Sequence, residues 1–168
     1  MRRVALLALA LLLGGSGAAA AAARAGTAAP EFVLPLLSAG TLRLSELRGK
    51  VVLVDFWASW CEPCQRELPE LARLQRELGS QGVQVVTINL DQQRDNAAAQ
   101  VQRLKLTLPV ALDPTGQVAA IYDPPKMPTS YVIDRRGLVR FIHEGFDGKQ
   151  DVERLRKELG MLASEAPR

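Results

Sequence analysis

One short segment constrains the fold of this chain more than any other: an apolar run that leads directly into a pair of cysteines. Val51–Trp57 reads Val-Val-Leu-Val-Asp-Phe-Trp, and a β-branched apolar run of this length is typical of a strand buried on both faces of a parallel sheet. Cys61 and Cys64 follow, and Pro63 stands where the first turn of a helix tolerates proline. The segment therefore predicts a strand–turn–helix unit with both cysteines at the start of the helix.

The rest of the chain alternates strand and helix patterns, which is typical of the α/β class. Leucines at helical spacing follow the cysteines, with Pro69 expected to kink that helix. A polar turn at 38–40 indicates an N-terminal hairpin within 31–50, and a final helix is expected with Asp151 as its N-cap. Further strands are predicted at 83–90, 109–112, 129–134 and 138–143, and further helices at 95–104, 117–122 and 151–162.

The N-terminus has the layout of a secretory signal. Arg2 and Arg3 precede an apolar run at 4–13, and small residues continue to Ala23. We expect cleavage near 20–23, with a site near Ala29 as an alternative. An uncleaved anchor is the other interpretation, because 4–23 approaches the roughly 20 residues of a membrane span. The expected organisation is a signal or anchor at 1–23, a short flexible lead at 24–30 and one domain at 31–168.

Charge excludes one class of function. The full chain has 21 Lys and Arg against 18 Asp and Glu, with a net charge of +3. Arg2 and Arg3 belong to the predicted signal, so the expected mature domain is nearly neutral. Such a domain lacks the basic surface of a nucleic-acid-binding protein.

The Cys61-Glu62-Pro63-Cys64 motif predicts redox chemistry, because it follows a buried strand and begins a helix. Backbone N–H groups and the helix dipole stabilise a thiolate at that position. Cys61 is expected to be exposed and to attack a partner's disulfide, whereas a shielded Cys64 resolves the mixed disulfide. Other sites fit less well: zinc needs about four ligands, covalent haem needs a histidine where Gln65 stands, and a peroxidatic cysteine lacks its framing residues.

The stretch Val52–Cys64, Val-Leu-Val-Asp-Phe-Trp-Ala-Ser-Trp-Cys-Glu-Pro-Cys, strongly resembles the thioredoxin superfamily. The preceding Leu-Arg-Gly-Lys at 47–50 and the extra segment between Asp91 and Pro109 resemble its TlpA/ResA/CcmG branch. The resemblance covers about 30–162. It implies a thioredoxin-like fold: a central mixed sheet flanked by helices, an N-terminal hairpin and a helical insertion after the second core strand.

The resemblance also implies a cis-proline at Pro128, preceded by Met127 and followed by Thr129, beside the cysteine pair. The backbone of Met127 could then pair with an extended substrate segment. An ordinary loop proline is the alternative. Asp55 matches the family's buried acid, which exchanges a proton with the inner cysteine, and burial would raise its pKa. A hydrogen-bonded carboxylate with only a structural role is the alternative for Asp55.

Glu67 is a second candidate for the proton relay, because it lies one helical turn after Cys64 and matches a functional glutamate of ResA-like proteins. A solvated helix residue is the alternative. Glu62 between the cysteines should disfavour the thiolate and favour a reductant. Trp60, Glu62 and Pro63 are expected to contact substrate together with Met127 and Thr129. The single histidine, His143, is expected to be an ordinary strand-end residue.

The function that follows is dithiol–disulfide exchange through Cys61 and Cys64, without a metal or other cofactor. The resemblance implies a monomeric periplasmic reductant of protein disulfides, as in cytochrome c maturation, recharged by a membrane thiol donor of the CcdA/DsbD type. An oxidant or isomerase is the alternative within this class. A copper(I) metallochaperone is an alternative of another class, since thiolates suit that metal, although His143 has no evident reason to approach the cysteines. The intact motif argues against a redox-inactive binding module.

Overall fold

The computed structural model describes residues 22–166, and that part of the chain contains seven strands and four α-helices. The strands are β1 (Val33–Pro35), β2 (Thr41–Arg43), β3 (Val51–Trp57), β4 (Val83–Asn89), β5 (Val110–Leu112), β6 (Thr129–Ile133) and β7 (Val139–Glu144). The helices are α1 (Glu62–Leu78), α2 (Arg94–Leu104), α3 (Gln117–Tyr122) and α4 (Lys149–Ser164).

Strands β3 to β7 form one sheet in the order β5-β4-β3-β6-β7. Strand β3 pairs in parallel with β4 and antiparallel with β6, so the sheet is mixed. All seven residues of β3 are buried, because the strand has a neighbour on each side and cover on both faces. Helix α2 joins β4 to β5 where a helical insertion was expected. The predicted α/β class, mixed sheet and insertion are confirmed.

Alternation along β3 divides its side chains between two cores. Val52, Val54 and Phe56 face an apolar core shared with the N-terminal segment and α3. Val51 and Leu53 face a second core formed with α1 and α4. Asp55 and Trp57 belong by the same alternation to the face covered by α1 and α4. The strand therefore directs its one carboxylate toward the helix that begins at the cysteines.

The N-terminal hairpin is confirmed as the antiparallel pair of β1 and β2. The flexible lead expected at 24–30 is wrong, because backbone hydrogen bonds hold it to the edge of β7. Gly26 N–H donates to Val139 O at 2.7 Å, and Ala29 N–H donates to Gly137 O at 2.9 Å. Ala29 and Ala23 are also buried in the first core. The small side chains of this segment allow its backbone to approach the sheet closely. The same small residues had suggested a linker when only composition was considered.

The start of the last helix differs from the prediction. Helix α4 begins at Lys149 with Gly148 as its N-cap, so Asp151 lies inside the first turn, where its carboxylate accepts a hydrogen bond from Asp147 N–H at 2.7 Å. Helix α1 contains Pro69 in its interior, and the kink expected there stays a prediction. The predicted signal or anchor at 1–23 lies almost entirely outside the described residues. Between residues 22 and 166, no helix has the length and apolar character needed to cross a membrane.

Candidate active site

The cysteines lie where β3 passes through a short turn into α1. Cys61 is the N-cap of α1, and its Sγ accepts a hydrogen bond from Cys64 N–H at 3.3 Å. The two residues form a disulfide with an S–S distance of 1.99 Å and a Cα–Cα distance of 5.4 Å. Pro63 falls in the first helical turn, as predicted. The sulfur of Cys61 thus faces the free N–H groups of the helix, which is the arrangement that stabilises a thiolate.

Burial of the two cysteines differs from expectation. Cys64 is fully buried, as predicted, but the Cys61 residue is only 4% exposed. The expected exposed Cys61 is therefore wrong for the oxidised protein. The physical reason is packing, because Cys61 lies in an apolar cluster with Cys64, Trp57 and Leu68.

Asp55 is fully buried two residues before the end of β3. Its Oδ1 accepts a hydrogen bond from the Ser130 hydroxyl at 2.9 Å, whereas Oδ2 has no partner among the described residues. Burial raises the pKa of Asp55 to about 8, and the hydrogen bond from Ser130 opposes this only in part. A carboxyl group of this kind can hold or release a proton near neutral pH.

Glu67 is also buried, at 2% exposure, so the solvated alternative is wrong. It lies three residues after Cys64 on α1, and residues at this spacing share a helix face. Burial is the main cause that raises its pKa, followed by the charges of Asp55 and Asp151. Its Oε2 has no hydrogen-bond partner among the described residues. The structure therefore brings Asp55 and Glu67 together as one buried acid pair.

The two tryptophans near the motif occupy opposite environments. Trp60 is 70% exposed, and it is a large apolar side chain directly beside Cys61. Trp57 is fully buried and packs in the cluster that contains both cysteines. Glu62 is exposed and pairs with Arg66 at 2.8 Å, an arrangement that offsets its negative charge. Trp60 is thus available to a docking partner, whereas Trp57 packs with the cysteines inside the protein.

The peptide bond between Met127 and Pro128 is cis, as the resemblance implied. Met127 is half-buried and packs against the cluster that contains the cysteines, while Pro128 and Thr129 are buried. Within residues 22–166, no hydrogen bond involves the backbone N–H or C=O of Met127. Its neighbour Pro128 is fixed through its carbonyl, which accepts from Gly145 N–H at 2.8 Å. The segment at Met127 therefore offers free backbone groups beside the cysteines.

Sequence reasoning missed Ser130, the hydroxyl partner of Asp55. Residues Asp55, Ser130 and His143 lie directly opposite one another across β3, β6 and β7. The polar residue directly after Thr129 in an apolar strand was the available signal, but pairing across strands is needed to connect it with Asp55. His143 is 9% exposed, and its Nε2 lies 2.6 Å from Glu158 Oε2 on α4. It is more enclosed than an ordinary strand-end residue.

The described part of the chain contains no group of three or more His, Cys, Asp and Glu side chains that could hold a metal ion. The buried polar groups near the cysteines include the acid pair, in which Asp55 is hydrogen-bonded to Ser130. These groups suit the movement of protons and thiolates. Their arrangement matches thiol–disulfide exchange.

Comparison with known proteins agrees with this geometry. The chain matches the AhpC/TSA family over residues 25–142. It is 37% identical over 129 residues to the thiol-disulfide oxidoreductase ResA of Geobacillus kaustophilus, covering 77% of this chain and 74% of that protein.

Solved structures give the same result. A proposed thiol:disulfide interchange protein DsbE from Chlorobium tepidum matches with a TM-score of 0.81 and 37% identity, over 85% of this chain and 100% of that one. A thiol:disulfide interchange protein of the thioredoxin family from Chlorobium tepidum TLS matches with a TM-score of 0.72 and 27% identity, over 86% and 100%. The predicted thioredoxin-like fold is confirmed. The chain belongs to the AhpC/TSA family and is a thioredoxin-like thiol–disulfide oxidoreductase.

Proposed function

We propose that this oxidoreductase works as a periplasmic reductant of protein disulfides. The observation that best supports a reductant is the buried pair of Asp55 and Glu67, since Glu67 lies three residues after the inner cysteine on α1. A reductant must deprotonate Cys64 inside the protein in order to release its product, and it needs a nearby group to accept that proton. A buried carboxyl with a pKa near that of a thiol meets this need.

The first step is attack by the Cys61 thiolate on a substrate disulfide. A sulfur–sulfur bond forms between Cys61 and the substrate while the substrate's own disulfide breaks, and one substrate sulfur leaves as a thiolate. The N-cap position of Cys61 favours its thiolate form. Trp60 and the free backbone groups of Met127 provide the surface on which an extended substrate segment docks.

The second step is resolution by Cys64. Its thiol gives its proton to a member of the acid pair in its ionised form, and the resulting thiolate attacks Cys61 Sγ. The Cys61–Cys64 bond forms, the mixed disulfide breaks, and the second substrate sulfur leaves and takes up a proton. The protein loses two electrons and the substrate gains them. A pKa of about 8 for Asp55 lies close to the ordinary value of about 8.5 for a thiol, so this proton transfer is nearly balanced.

The acid pair predicts a specific kinetic behaviour. Asp55→Asn and Glu67→Gln should each slow resolution of the mixed disulfide, by about 10²- to 10⁴-fold if the pair acts in general acid–base catalysis. The double variant should lose little more than the worse single variant, because the two groups share one function. Rapid-mixing assays that separate attack from resolution measure this. Full additivity of the two losses would contradict a shared role.

The cellular setting is part of the proposal. The signal-like sequence at 1–23 supports export, either with cleavage or with retention as an anchor. A periplasmic reductant needs electrons from the cytoplasm, so we propose a membrane thiol donor of the CcdA/DsbD type as its partner. Apocytochrome c, whose thiols must be reduced before haem attachment, is a substrate that fits this role.

Reduction potential tests the direction of electron flow. The mature domain is equilibrated against glutathione and dithiothreitol buffers, and the fraction of Cys61–Cys64 disulfide is measured. A value near or below the thioredoxin figure of about −270 mV is expected for a reductant. A value near about −120 mV would make the protein an oxidant and overturn the proposal.

Copper(I) delivery remains the alternative of a different class. The only histidine, which could have supplied a third ligand, lies 2.6 Å from Glu158 on α4 instead. Reduction of insulin with a thiol donor would favour the oxidoreductase role. Stoichiometric copper binding that survives a competing chelator, together with no insulin reduction, would favour the metallochaperone.

A further inference from the structure

Ser59, two residues before Cys61, is held by all three of its polar groups. Its N–H donates to Asp91 Oδ2 at 3.0 Å, and its hydroxyl donates to Asp91 Oδ1 at 2.8 Å. Its carbonyl accepts from Gln65 Nε2 at 2.9 Å. The turn that leads into Cys61 is therefore fixed both to the end of β4 and to α1.

Asp91 is the main anchor of this turn, and it is 5% exposed. It accepts a third hydrogen bond from Asn89 Nδ2 at 2.7 Å. Three donors directed at one side chain match an ionised carboxylate, which only accepts. No Lys or Arg between residues 22 and 166 forms an ion pair with it. A buried negative charge, held only by neutral donors, is thus hydrogen-bonded to Ser59, which stands two residues before the attacking cysteine.

The second anchor depends on the insertion helix. Arg103 of α2 donates from Nη2 to Gln65 Oε1 at 2.6 Å, and this contact orients the amide that holds Ser59. Gln100 in turn accepts from Arg103 at 2.8 Å. The guanidinium of Arg103 thus contacts Ser59 only indirectly, through the neutral amide of Gln65. The carboxylate of Asp91, in contrast, is bonded to Ser59 directly.

Other charges near the couple are placed differently from Asp91. Glu62 and Arg66 form a pair on the solvent side of α1. Asp55 of β3 and Glu67 of α1 are both buried, and burial favours the neutral form of both. Asp91 differs from these groups because its buried carboxylate is hydrogen-bonded directly to the turn before Cys61. Charge interactions are stronger in such an enclosed site than in water.

We propose that Asp91 is a positioning residue that fixes Ser59 and biases the Cys61–Cys64 couple toward the disulfide form, which makes the protein a stronger reductant. A fixed negative charge disfavours the Cys61 thiolate, which exists only in the reduced protein. It therefore destabilises the reduced form relative to the disulfide. This inference rests on thiol–disulfide exchange at Cys61 and Cys64, and it concerns the size of the bias rather than the identity of the substrate.

Two substitutions separate the charge from the anchoring. Asp91→Asn removes the charge, so the pH midpoint of Cys61 alkylation by iodoacetamide in the reduced protein should fall. The equilibrium constant for reduction of the disulfide by glutathione should rise about tenfold, which corresponds to about 30 mV. Ser59→Ala keeps the charge of Asp91 but removes the hydroxyl hydrogen bond that stabilises this charge. Its midpoint should rise, and its equilibrium constant should fall about twofold.

Asp134→Asn is the matched control. Asp134 is equally buried, at 5%, and accepts backbone hydrogen bonds in a turn at the opposite end of the sheet. Its substitution should leave the midpoint and the equilibrium constant unchanged. Shifts of opposite sign at Asp91 and Ser59 support the proposal, whereas shifts of the same sign, no shift at either, or an equal shift at Asp134 overturn it.

If Asp91→Asn does not fold, Ser59→Ala decides alone, and an unchanged or lower midpoint contradicts the proposal. Failure of this inference is distinguishable from failure of the proposed function. The absolute potential of the unaltered protein tests whether it is a reductant, and the differences between variants test the role of Asp91.

Discussion

The two faces of the central sheet are built on different principles. The face toward α3 and the N-terminal segment is an aromatic core in which Phe56, Tyr122 and Tyr131 pack with ring centroids 5.1–5.8 Å apart. Its hydroxyl groups are satisfied: Tyr131 donates to Tyr122 O, and Tyr122 donates to Pro30 O, both at 2.8 Å. The face toward α1 and α4 contains Asp55 instead.

The face toward α1 and α4 leaves polar atoms without partners. Asp55 Oδ2, Glu67 Oε2 and Trp57 Nε1 have no hydrogen-bond partner among the described residues. An unpaired buried polar atom costs stability, commonly about 1–3 kcal/mol. Alternate side chains of β3 point to opposite faces of the sheet. Residues that stabilise the fold therefore lie on one face, and the acid that takes part in the chemistry lies on the other. We expect substitutions on the two faces to behave differently.

Phe56→Ala tests the aromatic face and should have the largest effect on folding. Loss of a buried phenyl ring costs about 3–5 kcal/mol of unfolding free energy. Chemical denaturation of the oxidised protein measures this loss. The reduction potential of the fraction that folds should stay unchanged, because the ring packs in the aromatic core on the opposite face of the sheet from Asp55. A shift in potential comparable to that of a variant at the acid pair would break the proposed separation of the faces.

Asp55→Asn should raise the unfolding free energy, whereas Phe56→Ala lowers it. Burial raises the pKa of Asp55 in the folded protein from 3.8 to about 8, so between pH 4 and 8 the folded state holds a proton that the unfolded state has lost. Stability contributed by this group is therefore lost as pH rises through that window, by about 4 kcal/mol at pH 7. Removing the ionisable group should abolish this decline.

Denaturation of the oxidised protein at several pH values tests this second prediction. The advantage of Asp55→Asn over the unaltered protein should be smallest near pH 4 and grow toward pH 7. Asp134→Asn provides a control, because that carboxylate lies at the other end of the sheet and pairs with Arg140 at 3.3 Å. A stability difference between Asp55→Asn and the unaltered protein that does not vary with pH would refute the buried-acid interpretation.

Tyr131→Phe should have the smallest effect. It removes one hydroxyl that donates to Tyr122 O while keeping the ring in place. Loss of a single neutral hydrogen bond costs about 1 kcal/mol, and thermal unfolding of matched samples measures it. Turnover should match that of the unaltered protein. A large loss of turnover would mean that the aromatic face also takes part in the chemistry.

The site could be located from sequence because its parts are local. Cys61, Cys64 and the turn before them are consecutive, and their position after an apolar run defines the strand–turn–helix unit. Pro128 was found by resemblance rather than by its surroundings. Ser130, Asp91 and Gln65 were missed as partners, because hydrogen bonds between distant segments leave no mark on local pattern. Burial of Glu67 was also undecided, since its position on α1 alone does not show what covers that side of the helix.

The sequence by itself determined the order of strands and helices, the redox pair and the acid in β3. Apolar periodicity and turn residues act over a few positions, so the chain displays them directly. Only the tertiary structure decided that Cys61 is covered in the oxidised form, that 24–30 is fixed to β7, and that Asp55 and Glu67 form one pair. Those properties depend on which surfaces meet when the sheet and helices pack, and burial sets the charge and reactivity of each group that they enclose.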